Sequence, residues 1–375
     1  MRIALTLLSG IGYGGATYFR HLLPALATAA PEHEFHCFVP RGHRIMEEVC
    51  APNITYHAVL GERTSALDRF RFEQHALPRE LARMRADIVY TAKNITIFRA
   101  PCPQVIAIRN MEPFRYRAFA NAPMLDTASR VKWELTKRSL RAATGIIAVS
   151  AAVRDAVVER FPDAERKVTV VYNGTPAVSL RGVGDEAIPV NVLLTASKFV
   201  AYANQLTLLE AYAILCRERS DVPELHFAGG IHDRTYFAAV QRRAVALGIG
   251  GRIRMLGLLP QDDLHARMRR ACVFVFPSML ESCPHTLLEA MACGVPIAVS
   301  ATPPMPEICG DAAVYFDPRA PAQIARTISR LLDDAALRAR LVVAGRVRAQ
   351  HFTWEQTARG LLGVFARVAG AVPTP

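Results

Sequence analysis

The chain contains no apolar run approaching the ~20 residues that crossing a bilayer takes, so no stretch reads as a spanning helix. Its eight cysteines include no C-x-x-C pair. Cys272, Cys293 and Cys309 sit inside apolar runs, which reads as reduced core thiols of a cytosolic protein and not as a disulfide frame. The start, "MRIALTLLSG", leads into a glycine loop and lacks a small-residue cleavage site, so it reads as a buried first strand and not a signal peptide. Acidic residues are few beside basic ones, 33 against 45, and the net charge of +12 suits anionic partners: phosphates, nucleic acid or an anionic membrane surface. Nucleic acid drops out, because the chain has no recognition motif and no basic–aromatic platform.

What is present is enough apolar material for two cores. The length, 375 residues, exceeds what one core usually fills, and 51% hydrophobic residues exclude a disordered chain. Strand-like runs alternate with helical ones, which predicts a parallel α/β architecture. In the first half the strands are "RIALTLL", "HEFHCFVP", "DIVYTA", "QVIAIRN", "GIIAVS" and "KVTVVYNG", with helices such as "TYFRHLLPALATAA" and "SAAVRDAVVERF" between them. Periodicity lapses over 176–188, a linker. A second series follows: "VNVLLTAS", "ELHFAGG", "RIRMLG", "CVFVFPS", "PIAVS" and "AAVYFD". The end holds a broken helical stretch, "QIARTISRLLDDAALRARLVVAGRVRAQ", and the helix "TWEQTARGLLGVFARVAG". Two doubly wound domains of this kind are expected to face a central cleft at the carboxyl ends of their sheets.

Gly10, Gly12 and Gly15 fit G-x-G-x-x-G between a strand and a helix. A nicotinamide fingerprint also needs an acid at the end of the second strand. That strand ends "FVPRG", and Glu32 and Glu34 stand at its wrong end. The loop is read instead as glycines that bring amides close to an anionic or polyhydroxyl ligand; a loop that only needs positive φ stays open.

The segment "ESCPHTLLEAMACGVPIAVS" places Glu281 just ahead of a helix and Glu289 about two turns into it. Ser282 or Cys283 is expected to cap that helix, Pro284 to sit in its first turn, and Gly294 to end it. Its amino terminus then follows the carboxyl end of "VFVFPS", where open N–H groups and the helix dipole favour a diphosphate. One ligand with a sugar at each end of a diphosphate needs an acceptor at each end, and the two glutamates supply that pair. The plainer reading, a capping carboxylate and a surface ion pair, is set against the strand, Pro-Ser, helix and Gly-x-Pro frame around them.

With these residues in view the chain resembles the retaining GT-B glycosyltransferases, glycosyltransferase family 4 (glycosyl transferases group 1). The resemblance is carried by "GYGGATYFRHLLPAL", "IIAVSAAVRDAVVERF", "KVTVVYNGTP", "LHFAGG", "RIRMLGLLP", the two-glutamate segment and "FTWEQTARGLLGVFARV". It implies a GT-B fold of two Rossmann-like domains: residues 1–180, completed by a crossover helix at 354–375, and a donor domain at 188–353. It implies that Glu281 holds the donor hexose and Glu289 the nucleoside ribose. Backbone around Cys283, Pro284, His285, Thr286 and Leu287 would face the hexose and diphosphate. Gly14 and Gly15 would approach the diphosphate, and Gly257 and Leu258 would cradle the base. The donor implied is a UDP- or GDP-sugar, the acceptor a glycan or lipid-linked sugar, and the setting bacterial-type polysaccharide or lipopolysaccharide assembly in the cytoplasm. No D-x-D occurs, so no metal or other cofactor is expected.

Three positions depart from the family pattern. The loop "TASKFVAYANQLTLLEAY" carries Lys198 as the first expected cation, but Ala203 stands where the second belongs. One missing ammonium weakens transition-state stabilisation by ~2–3 kcal/mol unless replaced; Arg20 and Arg109 are the candidate substitutes. Arg109 and Asn110 stand where the family often has a histidine, and Arg109 reads either as a catalytic cation or as a strand-end residue. Pro284 replaces a usual glycine and removes one N–H. Outside the site, "ASRVKWELTKRSLRAAT" interleaves Arg130, Lys132, Lys137, Arg138 and Arg141 with Val131, Trp133, Leu135 and Leu140. It reads as a helix with its apolar face in the core, or as a peripheral dock on the inner face of an anionic membrane. Alternatives from other classes are a non-catalytic sugar-nucleotide binder, a GT-B-like epimerase and a nicotinamide-dependent oxidoreductase.

Overall fold

The computed structural model describes residues 1–8, 14–61, 64–115, 127–175 and 191–370. The linker reading at 176–188 and the glycines at 10 and 12 lie outside these residues. Contacts divide the chain into two compact units, Met1–Gly174 with Thr353–Pro375, and Thr175–Phe352.

In the first unit, among the described residues, seven strands form one sheet: β1 (Arg2–Thr6), β2 (Glu34–Arg41), β3 (Ile54–Gly61), β4 (Ile88–Thr91), β5 (Gln104–Ile108), β6 (Gly145–Ala148) and β7 (Val168–Val170). They lie in the order β3-β2-β1-β4-β5-β6-β7, and every pairing is parallel. β4, β5 and β6 are buried along their whole length, as strands covered by helices on both faces must be. β3, "ITYHAVLG", escapes the sequence reading because it is an edge strand, half exposed and mixed in polarity. The first helix begins at Gly14, three residues ahead of the expected Thr17, so Gly14 and Gly15 belong to its first turn.

The final helix, Trp354–Gly370, packs against Gly14–Ala29 within this unit. Trp354, Ala358, Leu361, Phe365 and Val368 recur at three- and four-residue spacing and are all buried, giving one apolar stripe on the sheet. Gly174 allows the close approach there, since a Cβ on it would lie 2.5 Å from the Trp354 amide nitrogen.

The second unit carries a six-stranded parallel sheet among its described residues: β8 (Leu193–Ala196), β9 (Leu225–Ala228), β10 (Ile253–Gly257), β11 (Val273–Phe276), β12 (Ile297–Ser300) and β13 (Val314–Phe316). The order is β10-β9-β8-β11-β12-β13. All six expected strands of this half are present. The broken helical stretch divides into Pro321–Asp333 and Ala335–Ala349, with the Asp334 side chain accepting from the Leu337 amide to start the second piece.

Candidate functional site

In an open parallel sheet the chain leaves adjacent strands in opposite directions at one place, and the carboxyl ends there form a crevice. In the second unit that place is between β8 and β11, neighbours through Val273 with Leu193 and Phe274 with Leu194. Lys198 follows β8 and Glu281 follows β11, so topology alone brings the two together. The Lys198 charge acts on the Glu281 carboxyl. Burial pushes that carboxyl up to about 7, while a hydrogen bond from Ser278 and the lysine charge pull the other way. Lys198 Nζ also stands 5.2 Å from the centre of the Tyr202 ring.

The loop between β8 and its helix is fixed by Asn204, which is left-handed at φ 64°. Its amide donates to the carbonyls of Pro277 (3.1 Å) and Pro318 (2.8 Å), tying this loop to the end of β11. Gln205 donates to Ser197 Oγ and the Lys198 carbonyl, both at 3.0 Å. Ala203 is 1% exposed, so its Cβ faces protein and this position offers no cation. Gly229, at the end of β9, closes the other side. A Cβ there would meet the Ser197 carbonyl oxygen at 2.0 Å, and its amide donates to the Gly257 carbonyl at 2.7 Å. Gly257 is left-handed at φ 69°, and Leu258 beside it is exposed.

The helix after Glu281 spans His285–Cys293. Its N-cap is Pro284, with no side-chain cap, and not Ser282 or Cys283 as the sequence suggested. Proline supplies a carbonyl that accepts from Leu287 (3.1 Å) and Leu288 (3.3 Å), so the backbone closes the first turn without a side-chain cap. Cys283, Pro284 and Leu287 are buried; His285 and Thr286 are partly open. Gly294 ends the helix left-handed at φ 75°, as expected.

Glu289 is 5% exposed and points into a seam with the helix Gln261–Arg270. Gln261 Nε2 donates to its Oε1 at 2.9 Å, and His265 Nε2 stands 3.8 Å from its Oε2. The sequence reading missed Gln261 and His265. Their four-residue spacing after Pro260, which puts both on one helix face, was the available signal.

Gly14, Gly15 and Arg109 belong to the first unit. Arg109 leaves β5 with its guanidinium 3.7 Å over the Tyr18 ring, and Tyr18 and Tyr90 share a 2.7 Å hydroxyl bond. Burial pushes the Tyr18 phenol up, and the Arg109 charge opposes it. Arg20 holds Glu48 through two bonds of 2.9 and 3.2 Å, so it is engaged within its own unit. On the helix Thr127–Ala142, Arg130, Lys132, Arg138 and Arg141 are exposed, as is Val131, while Leu140 is buried and Trp133 packs edge-on to Phe114. A surface pocket of about 570 Å³ beside Arg330 and Arg340 opens near the amino end of β13, away from the strand ends that carry Lys198 and Glu281. Among the described residues no group of three or more His, Cys, Asp or Glu could hold a metal ion, and no helix is long and apolar enough to cross a membrane.

Residues 13–177 match the model of glycosyltransferase family 4, and residues 185–348 that of glycosyl transferases group 1. The chain is 38% identical over 130 residues to D-inositol 3-phosphate glycosyltransferase of Salinispora arenicola, covering 34% of this chain and 29% of that protein. It is 35% identical over 150 residues to O-antigen chain mannosyltransferase B of Escherichia coli, covering 40% and 38%. These matches thus span well under half the length of either relative. Among solved structures, Alr3699/HepE of Anabaena in complex with UDP and glucose superposes with a TM-score of 0.72 at 18% identity, covering 98% of this chain and 99% of that one. The shared fold is GT-B, an α/β architecture.

Proposed function

The chain belongs to the GT-B glycosyltransferases of family 4 and group 1, and from that premise we propose that it transfers a hexose from a UDP- or GDP-sugar to a glycan or lipid-linked acceptor with retention of anomeric configuration. The observation that supports it best is the meeting of Lys198, Glu281 and the start of the His285 helix at the strand ends where the second sheet reverses. In this reading the lysine and the helix amides neutralise the leaving diphosphate. Glu281 accepts from the hexose hydroxyls and Glu289 from the ribose. Retention follows front-face attack, with the leaving diphosphate taking the acceptor proton, and no metal or covalent carboxylate takes part. The nucleotide seen in the Anabaena structure supports a nucleoside-diphosphate donor.

A thermal-shift screen against UDP- and GDP-sugars identifies the donor, and turnover is then measured with it. Glu281→Ala and Lys198→Ala are expected to lower kcat by about 100-fold or more. Glu289→Ala is expected to raise the donor KM with a smaller change in kcat. Near-normal turnover by the Glu281 variant would remove the site assignment. A wild-type chain that binds the donor but never turns it over, across a broad acceptor panel, would favour the non-catalytic alternative.

A further inference from the structure

Glu289 is a carboxylate with almost no access to water, and its seam shows how it is held. The Gln261 amide reaches Oε1 at 2.9 Å from the first turn of the neighbouring helix. One turn later His265, 3% exposed, aims Nε2 toward Oε2 at 3.8 Å. That ring nitrogen is buried and has no hydrogen-bond partner among the described residues. Buried ring nitrogens are rarely left so, because an unmet polar atom away from water is destabilising. Other charged groups near the seam, Arg269 and Arg346, act on the Cys293 thiol one turn beyond Glu289.

A carboxylate offers about four acceptor sites. We propose that Gln261 and His265 are positioning residues for Glu289, backing one oxygen each so that the remaining lone pairs converge on the vicinal diol of a nucleoside ribose. The proposal rests on the donor reading above and deepens it: the seam makes this site select ribose over deoxyribose nucleotides. Gln261 locks the carboxylate plane. His265 stops Oε2 from rotating away, closing the remaining gap as a donor when the diol draws the carboxylate into place. A carboxylate free to swing would still attract a nucleotide's hydroxyls but would lose the two-point match that tells a diol from a single hydroxyl.

The test compares dissociation constants of the donor nucleotide and its 2′-deoxy analogue, together with donor KM and kcat, on the full chain. Wild type is expected to prefer the ribonucleotide by about tenfold or more, the weight of one charge-assisted hydrogen bond. Gln261→Met, similar in size and placed at a partly open helix start, should cut that preference to within about threefold and raise KM while leaving kcat within about twofold. His265→Leu should do the same, whereas His265→Gln, which returns an N–H donor at similar reach, should restore the preference. A misfolded variant cannot imitate this pattern, because the ratio of two affinities is insensitive to the folded fraction. Wild-type preference retained in both Gln261→Met and His265→Leu would overturn the inference and leave the donor reading intact. No preference in the wild type would overturn it as well. A wild-type chain that binds no nucleotide sugar at all would bring down the donor reading and this one with it.

Discussion

A carboxyl held at about 7 is an acid that the fold resists ionising, and Glu281 pushes against the stability of its own unit. The direction follows from proton linkage. The folded chain keeps a proton on Glu281 that the unfolded chain, with a carboxyl near 4.5, has already lost. Stability therefore falls as pH rises between those values and stays reduced above them, by up to about 3 kcal/mol for this one group. Glu281→Gln keeps the shape without the charge. It should unfold at higher urea than wild type at about pH 8, with the gap closing toward pH 5, even as turnover is lost. Equal stability of the two proteins at pH 8 would show that the carboxylate meets no desolvation in the fold. The same burial leaves Glu281 able to donate a hydrogen bond when protonated and to accept one when ionised, with the local pH setting which.

At the scale of elements, the Lys198 loop depends on a glycine about thirty positions away. Gly229 sits at φ 147°, and a methyl group there would collide with the Ser197 carbonyl at 2.0 Å, next to the lysine. Backbone against backbone has no soft way out. Gly229→Ala should destabilise by about 2–4 kcal/mol and lower kcat, because the loop moves with Ser197. Gly248→Ala is the control: its φ is also positive, at 72°, yet nothing lies within 4 Å of the added carbon. It should be destabilised by only ~1 kcal/mol, with kcat unchanged. Comparable losses in the two variants, followed by urea unfolding and initial rates, would mean that strain and not the collision decides. "ELHFAGG" could be read as a strand ending in glycines, but not as the stop against which Lys198 rests. The rest of the site divides the same way. Glu281 and Glu289 could be singled out from the sequence because a loop and a helix start carry recognisable residue types in fixed order. Gln261 and His265 could not, because their place beside Glu289 comes from the packing of two helices across an intervening strand. The cap at Pro284 was misread because residue type favours Ser282 or Cys283, whereas the backbone turns helical only at His285. β3 was missed because an edge strand need not be apolar.

For the molecule as a whole, the last helix decides whether the first unit exists. Trp354, Ala358, Leu361, Val364, Phe365 and Val368 are all at most 6% exposed and belong to the same core as β1, β4 and the first helix. The Trp354 ring stacks on His21 at 5.7 Å and meets Tyr18 edge-on at 5.5 Å, and Thr357 donates to the Tyr172 carbonyl at 2.8 Å. Each large apolar side chain in that stripe contributes ~1.5–3 kcal/mol on burial, so losing four or five of them matches the ~5–15 kcal/mol that holds a domain folded. Among the described residues, the main core cluster of the second unit contains no side chain of this helix. A chain ending at Phe352 should therefore lose the first unit while keeping the second. Its thermal unfolding, followed by circular dichroism, should show one cooperative transition and a reduced amplitude. Residues 175–352 expressed alone should reproduce that transition and still shift upward with the donor nucleotide, since Lys198, Glu281 and Glu289 all lie within them. If the chain ending at Phe352 instead melted with the full amplitude of the intact protein, the buried stripe would be dispensable and the first unit would be complete without its distant last helix.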